Sequence, residues 1–117
     1  MGDAFGKKGN MDAAIREYRI ASQINPENFD LHNNLGVVLA NKGDLDSAIR
    51  EYRAALQINS NNADAHNNLG VALTQKKDLD AAILEYQMAL RINPNNTDAH
   101  NNQGIALAQK RNLDAAK

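Results

Sequence analysis

One block of sequence recurs and limits what the chain can become. Asp30-Leu31-His32-Asn33-Asn34-Leu35-Gly36 returns as Asp64-Ala65-His66-Asn67-Asn68-Leu69-Gly70 and again as Asp98-Ala99-His100-Asn101-Asn102-Gln103-Gly104, with the glycines 34 residues apart. A fixed period of this length marks an array of small supersecondary units, each of which buries its apolar face only by stacking on its neighbours. The 117 residues therefore predict one array. Complete units span 29–62 and 63–96, and partial ones span 1–28 and 97–117. Gly2 aligns with Gly36, and Ala14-Ile15 with Ala48-Ile49. The sequence starts inside one repeat and stops inside another, as expected of a segment from a longer array.

Each unit holds two helical stretches. In the first, about Asp30 to Lys42, His32, Leu35, Gly36 and Leu39 fall at the spacing of one buried face. The turn Asn25-Pro26-Glu27-Asn28 supplies a cap and a proline that cannot continue the preceding helix. Gly43 suits a left-handed stop. Asp44 caps a second helix, about Leu45 to Ile58, whose inner face is Leu45, Ala48, Ile49, Tyr52, Ala55 and Leu56. Leu79, Ala82, Ile83, Tyr86, Ala89 and Leu90 repeat it. Lys77 and Arg111 stand where Gly43 stands, and a left-handed turn there costs each about 1 kcal/mol relative to glycine.

The partial units predict a short first helix, Asp3 to Lys8, before a turn, and a closing helix, Asp98 to Lys110, followed by a turn and a stub from Leu113. Ile15 and Tyr18 at one end, and Ile105 and Leu107 at the other, are expected to lack their usual cover. Bare apolar ends favour head-to-tail association or exchange of helices between copies.

These residues resemble the tetratricopeptide repeat. His32, Leu35-Gly36, Leu39, Ala48, Tyr52, Ala55 and Ser60 stand at that family's motif positions, as do His66, Leu69-Gly70, Leu73, Ala82, Tyr86, Ala89 and Pro94. The departures are His for the first aromatic, Leu for the second, Ser60 for proline and Gln103 for Leu. The resemblance covers the whole chain. It implies an all-α fold: a right-handed superhelical solenoid of antiparallel helix pairs, about 3.5 repeats long, with the first helices lining a concave groove. It also implies a scaffold that binds peptides or proteins and is not an enzyme. Asn34, Asn68 and Asn102 further resemble the asparagine ladder inside the superhelix of O-linked N-acetylglucosamine transferase, where side-chain amides hold an extended peptide. Nothing here resembles that enzyme's catalytic domain.

Turning the first helix by about 100° per residue places Asp30, Asn33, Asn34 and Val37 opposite the packing face. Their equivalents are Asp64, Asn67, Asn68 and Val71, then Asp98, Asn101, Asn102 and Ile105. First helices one repeat apart should lie roughly 9–10 Å from each other. An extended peptide advances about 3.3 Å per residue, so each repeat would meet about three of its residues. A carboxamide offers a donor and an acceptor together, matching a peptide bond without reading its side chain. Val37, Val71 and Ile105 add an apolar strip. Asp30, Asp64 and Asp98 favour a neutral or cationic ligand, and they also suit the first turn of a helix. The stripe holds no Lys or Arg, which argues against clamping a terminal carboxylate.

Other chemistry finds little support. Neighbouring histidines of His32, His66 and His100 would lie roughly 9–10 Å apart, whereas a shared zinc needs Zn–N bonds of about 2.0–2.1 Å. Helix packing is therefore their expected role. Asp12, Asp46, Asp80 and Asp114 are each one repeat from the next, and serve the starts of second helices. Arg16, Arg19, Arg50 and Arg53 are interleaved with Glu17 and Glu51, and the stripe ends at Leu84 and Gln87. With a net charge of −1, no nucleic-acid partner is expected. No cofactor or metal site is expected either. The absence of cysteine excludes disulfides and a thiol nucleophile. No apolar run approaches the roughly 20 residues of a membrane span, and no secretory leader opens the chain. A cytoplasmic protein without a membrane partner is the expectation. Two roles remain: a scaffold holding an extended peptide, and a self-assembly module joined through its terminal helices into a homo-oligomer.

Overall fold

The computed structural model describes residues 3–116, with side chains from residue 9 to residue 115. Gly2, aligned above with Gly36, lies outside the described residues, as does Lys117. Six helices follow one another: α1 (Asp3–Ile24), α2 (Phe29–Lys42), α3 (Leu45–Ile58), α4 (Ala63–Gln75), α5 (Leu79–Ile92) and α6 (Thr97–Ala116). Among the described residues there is no strand. The fold class is all-α, with about 3.5 helix-pair repeats. The helices group into two compact units, α1–α3 and α4–α6.

In the first unit α2 packs on both α1 and α3. Asn28 starts α2 by accepting the Leu31 N–H at 3.2 Å. Gly43 stops it with φ 95°, where an L side chain is strained. The Gly43 N–H reaches the Ala40 carbonyl at 3.0 Å and the Asp44 N–H reaches that of Leu39 at 2.9 Å. Asp44 then accepts the Ser47 N–H at 3.3 Å to start α3. Leu35, Leu39, Ala48, Tyr52 and Ala55 are buried at the α2–α3 contact. Tyr52 seats on Gly36, where a β-carbon would stand 2.6 Å from the ring. The glycine is therefore a packing requirement, set by the tyrosine sixteen positions later.

The second unit repeats the design. Asn62 accepts the Ala65 N–H at 2.9 Å, Asn96 accepts that of Ala99 at 3.1 Å, and Tyr86 seats on Gly70. Lys77 adopts φ 72°, the left-handed turn expected of it despite its β-carbon. Thr74 stands where the first unit has Ala40. Its hydroxyl donates to the Gly70 carbonyl at 2.8 Å and lies 3.0 Å from the Tyr86 hydroxyl.

Four expectations fail. No turn follows Lys8: α1 runs straight through Gly9, the equivalent of Gly43. Nor is there a turn at Arg111, because α6 continues to Ala116. Folding back would pack only a stub of five or so residues, whereas continuing adds a backbone hydrogen bond per residue, and at Arg111 avoids about 1 kcal/mol of left-handed strain. Asp12 and Asp114 consequently lie within helices and do not serve helix starts. Asp12 instead pairs with Lys42 at 2.6 Å. Ile15 is not bare: α1 packs against α2 and leaves it 9% exposed.

Candidate functional site

The outward face of each first helix, α2 in the first unit and α4 and α6 in the second, carries a polar stripe. Its helical spacing places it opposite Leu35, Gly36 and Leu39, which are buried by α3 and α1. On α2, Asp30 and Asn34 are exposed, Val37 is exposed, and Asn33 is half-buried. On α4, Asp64 is exposed, while Asn67, Asn68 and Val71 are half-buried. Asp98, Asn101 and Ile105 are exposed on α6, and Asn102 is half-buried.

Within the second unit α6 packs against α5 and touches α4. There the Asn102 Nδ2 donates to Asn67 Oδ1 at 3.2 Å. The bond joins two of the expected site residues across adjacent first helices. This bond uses one donor of Asn102 and one lone pair of Asn67, so the pair keeps both acceptor and donor capacity. Ile105, 52% exposed, adds apolar surface on α6. At the end of the stripe the Lys77 ammonium donates to Gln109 Oε1 at 3.1 Å. A cation therefore reaches the stripe's margin, although the stripe itself contains none.

The three histidines sit on the other side of these helices, and His32 and His66 hold their hairpins together. His32 Nδ1 lies 2.8 Å from Glu51 Oε1, and its Nε2 lies 2.7 Å from the Pro26 carbonyl. His66 Nδ1 meets Glu85 at 2.8 Å. His100 Nε2 meets the Pro94 carbonyl at 2.9 Å. Burial works against a charge on His32. The Glu51 hydrogen bond, the Pro26 carbonyl and the Glu51 charge outweigh it, so the imidazole pKa stands above its ordinary 6.5. Tyr52 has no counterpart to Thr74, and burial pushes its phenol up to about 12. In Tyr86 burial also raises the pKa, against the opposing Thr74 hydrogen bond. The glutamates are the residues that the sequence reading missed as partners. Their signal was present: Glu17, Glu51 and Glu85 keep the 34-residue period, and the last two each follow a histidine by 19. Among the described residues no group of three or more His, Asp or Glu side chains could hold a metal ion.

Comparison with known families decides the classification. The model described as TPR repeat matches residues 2–43 and 40–77. Models described as tetratricopeptide repeat match 63–96 and 85–117. The chain belongs to the tetratricopeptide repeat family.

Solved tetratricopeptide structures agree with the fold. A crystal structure of MamA superposes with a TM-score of 0.85 at 27% identity, covering 97% of this chain and 67% of that one. A second structure of the MamA protein gives 0.83 at 27% identity, with 94% and 60% covered. The first TPR of Spaghetti (RPAP3), bound to the HSP90 peptide SRMEEVD, gives 0.85 at 24% identity, covering 94% of this chain and 87% of that one. The chain thus spans about two thirds of MamA's length. No curated protein matches it. No helix among the described residues is long and apolar enough to cross a membrane.

Proposed function

We propose that this tetratricopeptide chain is a non-catalytic scaffold that binds an extended segment of another protein by its backbone. The observation carrying the reading is the Asn102–Asn67 pair, which links the two helices and leaves amide acceptors and donors for the N–H and C=O of a peptide. Val71 and Ile105 would take apolar side chains of the ligand, and Asn101 and Asn68 flank them on α6 and α4. On α2, Asn34 with Val37 repeats the same combination, beside Asn33. Asp30, Asp64 and Asp98 give these faces a negative edge that selects neutral or basic segments. Spaghetti's HSP90 peptide contains two glutamates, an aspartate and a single arginine. On this charge argument SRMEEVD binds the present chain poorly.

The test uses an array of random, uncharged ten-residue peptides. The selected binders are then remade with N-methyl groups on alternate backbone nitrogens. Gripping by amides predicts that N-methylation weakens binding more than exchanging single side chains does. Full binding by the N-methylated peptides would sink the mechanism.

A further inference from the structure

We propose that a cleft in the α2–α3 hairpin is a second binding site, separate from the amide stripe, and that its occupant is a lysine side chain presented by a partner protein. The cleft measures about 520 Å³ and is lined by Pro26, Glu27, His32, Ala54, Gln57 and Ile58. Ligand pockets run from about 300 to 1,000 Å³. The turn before α2 contributes Pro26 and Glu27, α2 contributes His32, and the end of α3 contributes the rest. His32 stands two positions from Asn34, about 200° around the helix, so cleft and stripe lie on different sides of α2.

The polar groups of the cleft divide into engaged and unengaged. His32 is a fixed wall: Nδ1 lies 2.8 Å from Glu51 Oε1 and Nε2 lies 2.7 Å from the Pro26 carbonyl, so neither ring nitrogen is left for a ligand. The Glu27 carboxylate and the Gln57 amide are exposed and bond to no other described residue. The Pro26 carbonyl accepts from His32 and keeps its second lone pair. Three acceptors therefore line the cleft, and an ammonium group carries three donors and no acceptor. Ala54 and Ile58, the latter 40% exposed, give the aliphatic stem an apolar wall. No Lys or Arg is part of the lining; Arg53, next to Ala54 in sequence, lies outside it. Because Glu27, Gln57 and Ile58 are all exposed, the cleft is open and covers only part of what enters it. A side chain already positioned by other contacts of its protein loses less freedom on docking there than a free amine does.

The second hairpin keeps the frame and lacks the site. The residues 34 positions on are Ser60, Asn61, His66, Met88, Arg91 and Ile92. Asn61 is neutral where Glu27 is charged, Arg91 brings a cation where Gln57 has an amide, and Met88 is larger than Ala54. Asn95 likewise takes the place of Glu27 one repeat further on. The fold does not demand these differences, since Tyr52 and Tyr86 seat on their glycines alike and His32 and His66 meet their glutamates at the same 2.8 Å. Acid, acceptor and small residue come together at one cleft.

The experiment is a nuclear magnetic resonance titration of the whole chain with a capped decamer of alternating glycine and alanine carrying one central lysine. The same decamer with glutamine and free n-butylamine are run beside it. The lysine decamer should give saturable shifts at the Gln57 side-chain amide and the Ile58 methyl groups, the glutamine decamer none, and butylamine should bind more weakly. Glu27→Asn, Ala54→Met and Gln57→Arg each install the residue of the second hairpin, so helical circular dichroism should not change, and each should weaken binding at least tenfold. The Asn34→Ala, Asn68→Ala, Asn102→Ala variant should bind the lysine decamer undiminished, which separates this site from the stripe. Absence of saturable shifts, equal binding of the glutamine decamer, or full binding by Glu27→Asn would overturn the proposal. Butylamine binding as tightly as the decamer would overturn the assignment to a partner's lysine, and loss of binding in the asparagine variant would overturn the separate site.

Discussion

Gly36 and Gly104 hold the same place in the repeat, yet alanine should act in opposite directions at the two. In the interior of a helix, replacing glycine by alanine gains about 1 kcal/mol. At Gly104 the new methyl group enters open space, so that gain stands alone. At Gly36 it would sit 2.6 and 2.7 Å from two carbons of the Tyr52 ring. The ring is 3% exposed and packed between buried neighbours, so it cannot swing into solvent. Overpacking of this kind costs about 1–3 kcal/mol, which cancels or reverses the propensity gain. The two variants should therefore differ by about 1–3 kcal/mol, or on the order of 4–12 °C in melting temperature for a chain of this size. Urea unfolding followed by circular dichroism at a few micromolar, where contacts between copies are diluted, reads the difference directly. The slope of the transition should stay constant, since surface exposed on unfolding barely changes. If Gly36→Ala stabilises the chain as much as Gly104→Ala does, Tyr52 yields freely and the close approach does not explain the glycine.

Three further outcomes follow from the same geometry. Lys77→Gly should stabilise the second unit by about 1 kcal/mol, because φ 72° is strained for lysine and its exposed bond to Gln109 contributes little; thermal melting checks it. Thr74→Val leaves the buried Tyr86 hydroxyl without its partner and should cost about 1–3 kcal/mol in chemical unfolding, whereas Ala40→Val in the first unit orphans nothing. The folded pKa of His32 lies above the ordinary value, so its contribution is complete below about pH 6.5 and fades as pH rises through the folded pKa. Unfolding midpoints measured from pH 5 to 8 should show that decline, and His32→Gln should flatten it.

Much of the fold could be read from sequence because the repeat presents each local signal more than once. Asn28, Asn62 and Asn96 all cap as their positions suggest, and the bounds of α2 and α3 follow from Asn28, Gly43 and Asp44. Lys77 turns left-handed against its own preference because α4 and α5 pack on either side of it. Gly9 and Arg111 show why the same signal failed elsewhere. A turn persists only when the helix beyond it buries enough surface to repay the lost hydrogen bonds, and that is a tertiary quantity. Ile15 was misjudged for a related reason: its cover comes from α2, not from the missing half of its own repeat. At the candidate site, periodicity assigned the stripe to one face. It could not show that Asn102 would spend a donor on Asn67, since that depends on how α6 is rotated against α4. The His–Glu pairs were hidden similarly, because Glu51 reads as one of the charges interleaved with the outer arginines and Glu85 carries no signal of its own until the hairpins close.

The central claim is that each first helix divides into a packing face and an amide face, and that the amide face grips peptide backbone. The most direct measurement is nuclear magnetic resonance of the asparagine side-chain amides during titration with a peptide selected from the random array. Signals of Asn67, Asn101 and Asn102 should move together with one saturation curve, and the Asn34→Ala, Asn68→Ala, Asn102→Ala variant should lose binding while keeping its helical spectrum. Side-chain amides that stay still while the peptide binds, or undiminished binding by the triple variant, would contradict the account.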